Sequence, residues 1–261
     1  MNKEHQEYDV ALVTILEAVW GVGFMSPGGV KEVDYILQDI NISSLTVLDI
    51  GCGLGGADFH IAKKYNPSCV IGLDVETLLI ERCKLNAKQQ NIDDITEFYC
   101  IEPGPLPIEA NSIDLVFSKD SIIHIQDKLA LAEDIFRVLK PGGWFAASDW
   151  LAGYEKDPSQ DMLDYIEAEG LDFGLANVNV YLSALSSAGF KSIHVNDRNS
   201  WYKNEARKEH ANLMGPLYDD LEDSVGKRFL RHQIDVWDKL IIAVDSGELR
   251  PTHLRARKPK K

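Results

Sequence analysis

Short apolar runs alternate along the first 150 residues with stretches of helical spacing. The runs at 47–50, 70–73, 97–101, 113–118 and 144–148 have strand length and are bounded by glycine, proline or acidic residues, so they read as strands, the first of them buried. Between them, 56–65, 76–90 and 127–139 read as helices. The last is amphipathic and stops before Lys140-Pro-Gly-Gly143, where two glycines permit a sharp reversal into the next strand. This β/α alternation predicts a parallel sheet with helices on both faces. Upstream, 9–20 is an apolar segment of helical length. It runs into a glycine- and proline-rich loop at 21–29, and a helix is expected near 30–39. The pattern breaks after Trp150. Residues 151–175 read as a loop plus a helix at 160–169, a cap over the strand ends. A helix at 177–188, a strand at 190–196, helices at 202–223 and 227–245 and a last strand at 249–257 complete the chain. The expectation is an α/β fold with seven strands in a single unit over 1–261, carrying a helical N-terminal segment at 1–44 and a cap insertion at 151–175.

Composition narrows this little: 45% hydrophobic and 26% charged residues are ordinary for a water-soluble globular chain of 261 residues. Charge says more. A formal net charge of −14 repels phosphate backbones and anionic lipid, so neither nucleic acid nor membrane is expected as a partner. The basic cluster Arg255-Ala-Arg-Lys-Pro-Lys-Lys261 reads as a solvated terminus rather than a nucleic-acid arm. Cys52, Cys69, Cys83 and Cys100 form no C-x-x-C pair, and no His/Asp/Glu set has metal-ligand spacing, so no metal is expected. Reduced thiols, no signal-peptide core and no long apolar run predict a cytoplasmic protein, able to work as a monomer.

The strand at 47–50 leads into Gly51-x-Gly53-x-Gly55-Gly56. Such a turn serves several nucleotide-like cofactors, but this spacing differs from the G-x-G-x-x-G of dinucleotide binders. Asp49 stands two residues before the first glycine, where a carboxylate would repel a pyrophosphate and suit a ligand bearing an ammonium. Asp74 closes the second strand, where a carboxylate can accept both ribose hydroxyls. Glu102 follows the third strand and can receive an adenine amine. Together these point to S-adenosylmethionine. Methyl transfer from its sulfonium requires an aligned nucleophile and, for an amine, removal of a proton. After the fourth strand, Asp120 either holds a substrate ammonium or caps a helix, and His124 is either a base or orienting group or a packing residue. Trp20, Phe24, Trp150, Tyr165 and Trp201 are aromatic candidates for a cation-binding wall, with Trp150 placed at the strand ends.

Trp20-Gly-x-Gly-Phe-Met-Ser-Pro-Gly-Gly29, Val47-Leu-Asp-Ile-Gly-Cys-Gly-Leu-Gly-Gly56, Ser118-Lys-Asp-Ser-Ile-Ile-His-Ile-Gln-Asp-Lys128, Leu139-Lys-Pro-Gly-Gly143 and Ser148-Asp-Trp150 resemble the phosphoethanolamine N-methyltransferases, over roughly residues 8–200. The resemblance implies a Rossmann-like seven-stranded methyltransferase sheet and methylation of a small-molecule amine. It implies Tyr8 and His124 as the pair that closes the site and takes the amine proton. The cofactor contacts would be Met25, Ser26, Asp49, Gly51, Gly53, Asp74, Val75, Ile101, Glu102 and Lys119, and the substrate contacts Asp120, Trp150 and Tyr165. The sequence departs from the family where Glu169 stands in place of a phosphate-binding arginine and Leu171 in place of a tyrosine. In a looser alignment, Leu240 replaces a lysine. A phosphate without cations is costly to bury, so Arg198, Lys203 or Arg250 would have to compensate. O- or C-methylation of a more apolar metabolite, and a non-catalytic S-adenosylmethionine-binding subunit, are the other readings.

Overall fold

The computed structural model describes residues 9–171 and 173–260. Asp9 opens the first helix, α1 (Val10–Trp20), by accepting a hydrogen bond from the Leu12 amide at 2.8 Å, and Gly21 ends it. The loop that follows leads into α2 (Gly29–Ile36). Then come β1 (Thr46–Ile50), α3 (Gly56–Tyr65), β2 (Cys69–Asp74), α4 (Thr77–Gln89), β3 (Thr96–Cys100) and β4 (Ile113–Lys119). A single 3-10 turn, Ile122–His124, precedes α5 (Lys128–Val138), whose first turn is capped by Asp127. β5 (Leu139–Ala152), α6 (Gln160–Glu169), α7 (Val178–Ala188) and β6 (Lys191–Asp197) follow. The chain ends with α8 (Asn199–Leu213), α9 (Tyr218–Val225), α10 (Lys227–Ser246) and β7 (Leu249–Arg257).

The sheet order is β3-β2-β1-β4-β5-β7-β6. Successive residues of the central strands point to opposite faces, which is what makes short continuous apolar runs fit a sheet covered on both sides. Val47 and Leu115 join a core layer under α2, α3 and α4, with Val33, Ile61 and Ile80. Leu48 and Val116 join the layer under α5 and α7, with Ile135 and Leu185. The order reverses between β1 and β4, and the crevice at their carboxyl ends is where such sheets bind ligands. A third apolar cluster roofs that crevice. It joins Leu16 of α1, Met162 and Tyr165 of α6, Tyr202 of α8, and Val236, Trp237 and Leu240 of α10.

Four features differ from the expectation. β7 runs antiparallel to both β5 and β6. The reason is the roof: α8 to α10 stay above the strand ends instead of crossing the sheet, so the chain re-enters from the top. The Lys140-Pro-Gly-Gly143 segment is an irregularity within one long β5 rather than a turn before a shorter strand: the register against β4 shifts between Ile113 and Leu115, and Gly142 has φ +85°. The helix expected over 202–223 breaks at Met214-Gly-Pro-Leu217, because Pro216 has no amide to continue the ladder. The basic terminus is not a solvated tail. Arg255 donates to the carbonyls of Tyr35 and Ile36, Lys258 to those of Phe136 and Leu139, and the Arg257 guanidinium lies 4.8 Å from the Trp144 ring centre. Among the described residues no helix is long and apolar enough to cross a membrane.

Candidate active site

At the end of β1 the chain turns back under β2: the amides of Gly51 and Cys52 both donate to the Leu73 carbonyl, at 2.8 and 3.0 Å. Gly51 has φ +74°, and a Cβ there would lie 2.3 Å from Ser121 Oγ, so only glycine fits. Gly53 N then donates to Asp74 Oδ2 at 2.8 Å, and Glu76 N to Oδ1 at 3.0 Å. These bonds fix the Asp74 carboxylate at the end of β2. The 21–28 loop folds over the turn. Gly56 N donates to the Gly23 carbonyl at 3.0 Å, and a Cβ on Gly56 would come within 2.4 Å of that oxygen. Turn, loop and strand ends enclose a cavity of about 1040 Å³. Its walls bring together Met25, Ser26, Asp49, Gly51, Gly53, Asp74, Val75, Ile101, Glu102 and Lys119, the whole set expected from the sequence.

Electrostatically this cavity is acidic. Burial pushes Asp74 above the usual carboxylate range, against the pull of its backbone donors. Asp49 is pushed well up, first by burial and then by the charge of Asp58 on α3. Among the described residues, Asp49 Oδ1 and both Asp58 oxygens are buried without a hydrogen-bond partner. Burial and the neighbouring carboxyl favour the protonated form, so Asp49 is not the free anion that its place before the turn suggested. The cations on the wall are already engaged. Arg137 donates to Asp134 Oδ1 and to the carbonyls of Leu106 and Ile108. Lys119 Nζ donates to Ser26 Oγ at 2.6 Å, the Pro27 carbonyl at 2.8 Å and Asp120 Oδ2 at 2.8 Å, so it ties the 21–28 loop to the end of β4.

Met25, Ser26, Asp120 and His124 also line a second, smaller and more enclosed cavity of about 80 Å³ under the helical roof. One water needs about 10–15 Å³ on the same measure, so the cavity suits a small molecule. Asp120 has φ +58°, the left-handed region that aspartate tolerates. It does not cap the 3-10 turn, which begins at Ser121 without a side-chain cap. Its carboxylate accepts from Lys119 and, at 2.7 Å, from Ser148 Oγ. Asp149 Oδ1 accepts from Ile123 N at 3.0 Å and so holds the turn that carries His124. Trp150 and Tyr165 line this cavity, with Trp20, Leu171, Phe173 and Leu240. Phe173 lies 5.7 Å from the His124 ring and 6.3 Å from the Tyr165 ring, stacked on the latter at 21°. Phe24 belongs to the core and also lines the large cavity, and Trp201 lies under the Arg198 guanidinium at 4.5 Å. Tyr8 falls outside the described residues.

None of the three compensating cations lines this cavity. Arg198 pairs with Glu32, Lys203 donates to the Asp245 carbonyl, and Arg250 pairs with Asp197. Sequence reasoning missed Tyr202, Gln233 and Trp237, which complete the wall. Their positions carry ordinary helical periodicity, which marks a buried face but not what that face meets. Behind them Glu209 accepts from Trp20 Nε1 at 2.8 Å, Tyr202 Oη at 2.9 Å and Trp237 Nε1 at 3.2 Å, which locks three rings of the roof together.

A sheet of this order, with a glycine-turn cavity opening beside a roofed pocket, is the architecture of methyl-transferring enzymes. The family model described as a methyltransferase domain matches residues 42–188, and the chain belongs to that family. It is 31% identical to a phosphoethanolamine N-methyltransferase of Triticum aestivum, over 95% of this chain and 48% of that protein. Against the phosphoethanolamine N-methyltransferase of Plasmodium falciparum (isolate 3D7) it is 26% identical, over 91% of this chain and 88% of that one. The chain thus spans about half the length of the plant relatives it matches. Among solved structures, Haemonchus contortus phosphoethanolamine N-methyltransferase 2, in complex with phosphomonomethylethanolamine and S-adenosylhomocysteine, aligns with a TM-score of 0.87 at 23% identity. That alignment covers 98% of this chain and 59% of that one.

Proposed function

We propose that this chain is an S-adenosylmethionine-dependent methyltransferase acting on the amine of a small molecule. The observation that carries the reading is the wall common to the two cavities. Asp120 and His124 line both the large glycine-turn cavity and the small one, so a methyl donor in the first and an acceptor in the second would meet at an acid and an imidazole.

The large cavity suits this cofactor. Gly51 and Gly53 leave the turn open to close approach, Asp74 would hold ribose hydroxyls, and Glu102 lies where an adenine amine would be met. With Lys119 and Arg137 bonded elsewhere, the wall favours a cationic, phosphate-free group. When bound, S-adenosylmethionine supplies an electrophilic methyl on its sulfonium. Met25 and Ser26, held down through Lys119, close the junction against water. Asp120 orients the acceptor nitrogen, and His124 takes its proton at the imidazole, with Tyr8 as the expected partner. Trp150 and Tyr165 offer π faces to a methylated, cationic nitrogen. The apolar lining is what O- or C-methylation would draw on. Asp120 in the same wall favours the amine.

Calorimetric titration with S-adenosylmethionine, and radiolabelled methyl transfer to a panel of small amines, test the reading. His124→Ala should cut amine turnover about 100-fold or more, the usual worth of a general base, with cofactor binding retained. Transfer confined to hydroxyl or carbon acceptors would refute it.

A further inference from the structure

The helix α6 ends on Glu169, immediately before the left-handed Gly170. That is the wrong end of a helix for a carboxylate, because the unpaired carbonyls there carry partial negative charge. Glu169 nonetheless faces the small cavity. Burial alone pushes its carboxyl up to about 7. Among the described residues neither a hydrogen-bond donor nor a cation reaches it. Helix α10 packs against α6 and places Gln233 on the same wall. Gln233 is 8% exposed and its amide also has no hydrogen-bond partner among the described residues.

Glu169 and Gln233 thus turn a carboxyl and an amide toward one small pocket without a protein partner among the described residues. Polar groups that line a pocket without a protein partner are free to pair with what the pocket holds. A hydrogen donor carried by a ligand would pair with them. An anionic headgroup would meet the opposite of what it needs: Arg198, Lys203 and Arg250 are all committed outside the cavity, and a phosphate beside Glu169 would be repelled.

We infer that the small cavity takes a short amine whose far end carries a hydrogen-donating, non-anionic group, an ammonium or a hydroxyl, and that Glu169, with Gln233, selects it. This rests on the reading of the chain as an amine methyltransferase. Asp120 and His124 address the nitrogen to be methylated, while Glu169 and Gln233 address the other end.

The full-length chain, saturated with S-adenosylhomocysteine, is titrated calorimetrically with 1,3-diaminopropane, 3-aminopropanol and phosphoethanolamine. Either of the first two should bind at least 10-fold tighter than phosphoethanolamine. A diamine preference identifies an ammonium, and equal or better binding of the amino alcohol a hydroxyl. Glu169→Gln, which is nearly isosteric, should weaken the preferred ligand at least 10-fold and leave S-adenosylhomocysteine affinity unchanged, which also reports a folded site. Glu169→Arg should shift the preference toward phosphoethanolamine. Tighter binding of phosphoethanolamine by the native chain, failure of both non-anionic amines to bind, or indifference to Glu169→Gln would each overturn the inference. Phosphoethanolamine methylation by the native chain would defeat it alone, whereas loss of S-adenosylhomocysteine binding in the native chain would defeat the functional reading beneath it.

Discussion

Lys119 offers the sharpest test of how the site is held together. Its ammonium and the Asp120 carboxylate are 5% and 4% exposed and lie 2.8 Å apart. Lys119→Met keeps the length of the side chain but strips Asp120 of its cation, leaving Ser148 as its hydrogen-bond donor among the described residues. Breaking a buried pair by removing one partner costs about 3–5 kcal/mol, because the other charge stays desolvated. For a domain of this size that is a fall in Tm of roughly 10 °C. Asp120→Asn should cost less, because the ammonium keeps Ser26 Oγ and the Pro27 carbonyl and the new amide oxygen can still accept. The double variant removes both charges, so its loss should fall short of the two single losses added together by about 1–3 kcal/mol. Urea unfolding followed by tryptophan fluorescence gives all four corners of the cycle. Hydrogen exchange over 21–28 adds an independent readout, since Lys119→Met also releases that loop. Strict additivity, or unchanged exchange in the loop, would show that Lys119 does not couple the acid to the lid.

Gly56→Ala would place a methyl 2.4 Å from the Gly23 carbonyl oxygen, and both are backbone-anchored. Overpacking of about 1–3 kcal/mol is expected to lift the loop and weaken S-adenosylmethionine binding roughly 10-fold, measured by titration. Glu32 predicts acid behaviour. Burial pushes its carboxyl up, but hydrogen bonds from His253 and Arg198 override this and hold it at about 2, below its usual 4.5. The folded-state value is depressed, so the stabilisation is present above about pH 4.5 and is lost as pH falls toward 2. It amounts to roughly 3 kcal/mol. Glu32→Gln should flatten the stability profile across that window in pH-dependent urea unfolding, and an unchanged slope would contradict the assignment.

Local pattern determined much of this molecule. The central strands β1, β2 and β4 are legible because a strand covered on both faces needs a nearly unbroken apolar run, and the glycine turn is legible because close backbone approach excludes any side chain. Gly51, Asp74 and Glu102 could be placed on the large cavity's wall because they stand at or just past strand ends, where chain order fixes their place, whereas Met25 and Ser26, in the loop after α1, were implied only by the family resemblance. The acceptor pocket could not be read this way. Tyr202, Gln233 and Trp237 sit on helices whose periodicity says only that one side is buried, and nothing local says that this side closes over Asp120 and His124. The antiparallel entry of β7 was equally hidden, because it depends on α8 to α10 remaining above the sheet. Charge states also belong to the tertiary structure. Asp49 before the turn looks like a free anion until Asp58 is found buried against it, and Glu169 looks like one more surface acid until the roof encloses it. Sequence fixes which groups are present, but solvent exclusion by distant segments decides which of them are charged, paired or left waiting for a ligand.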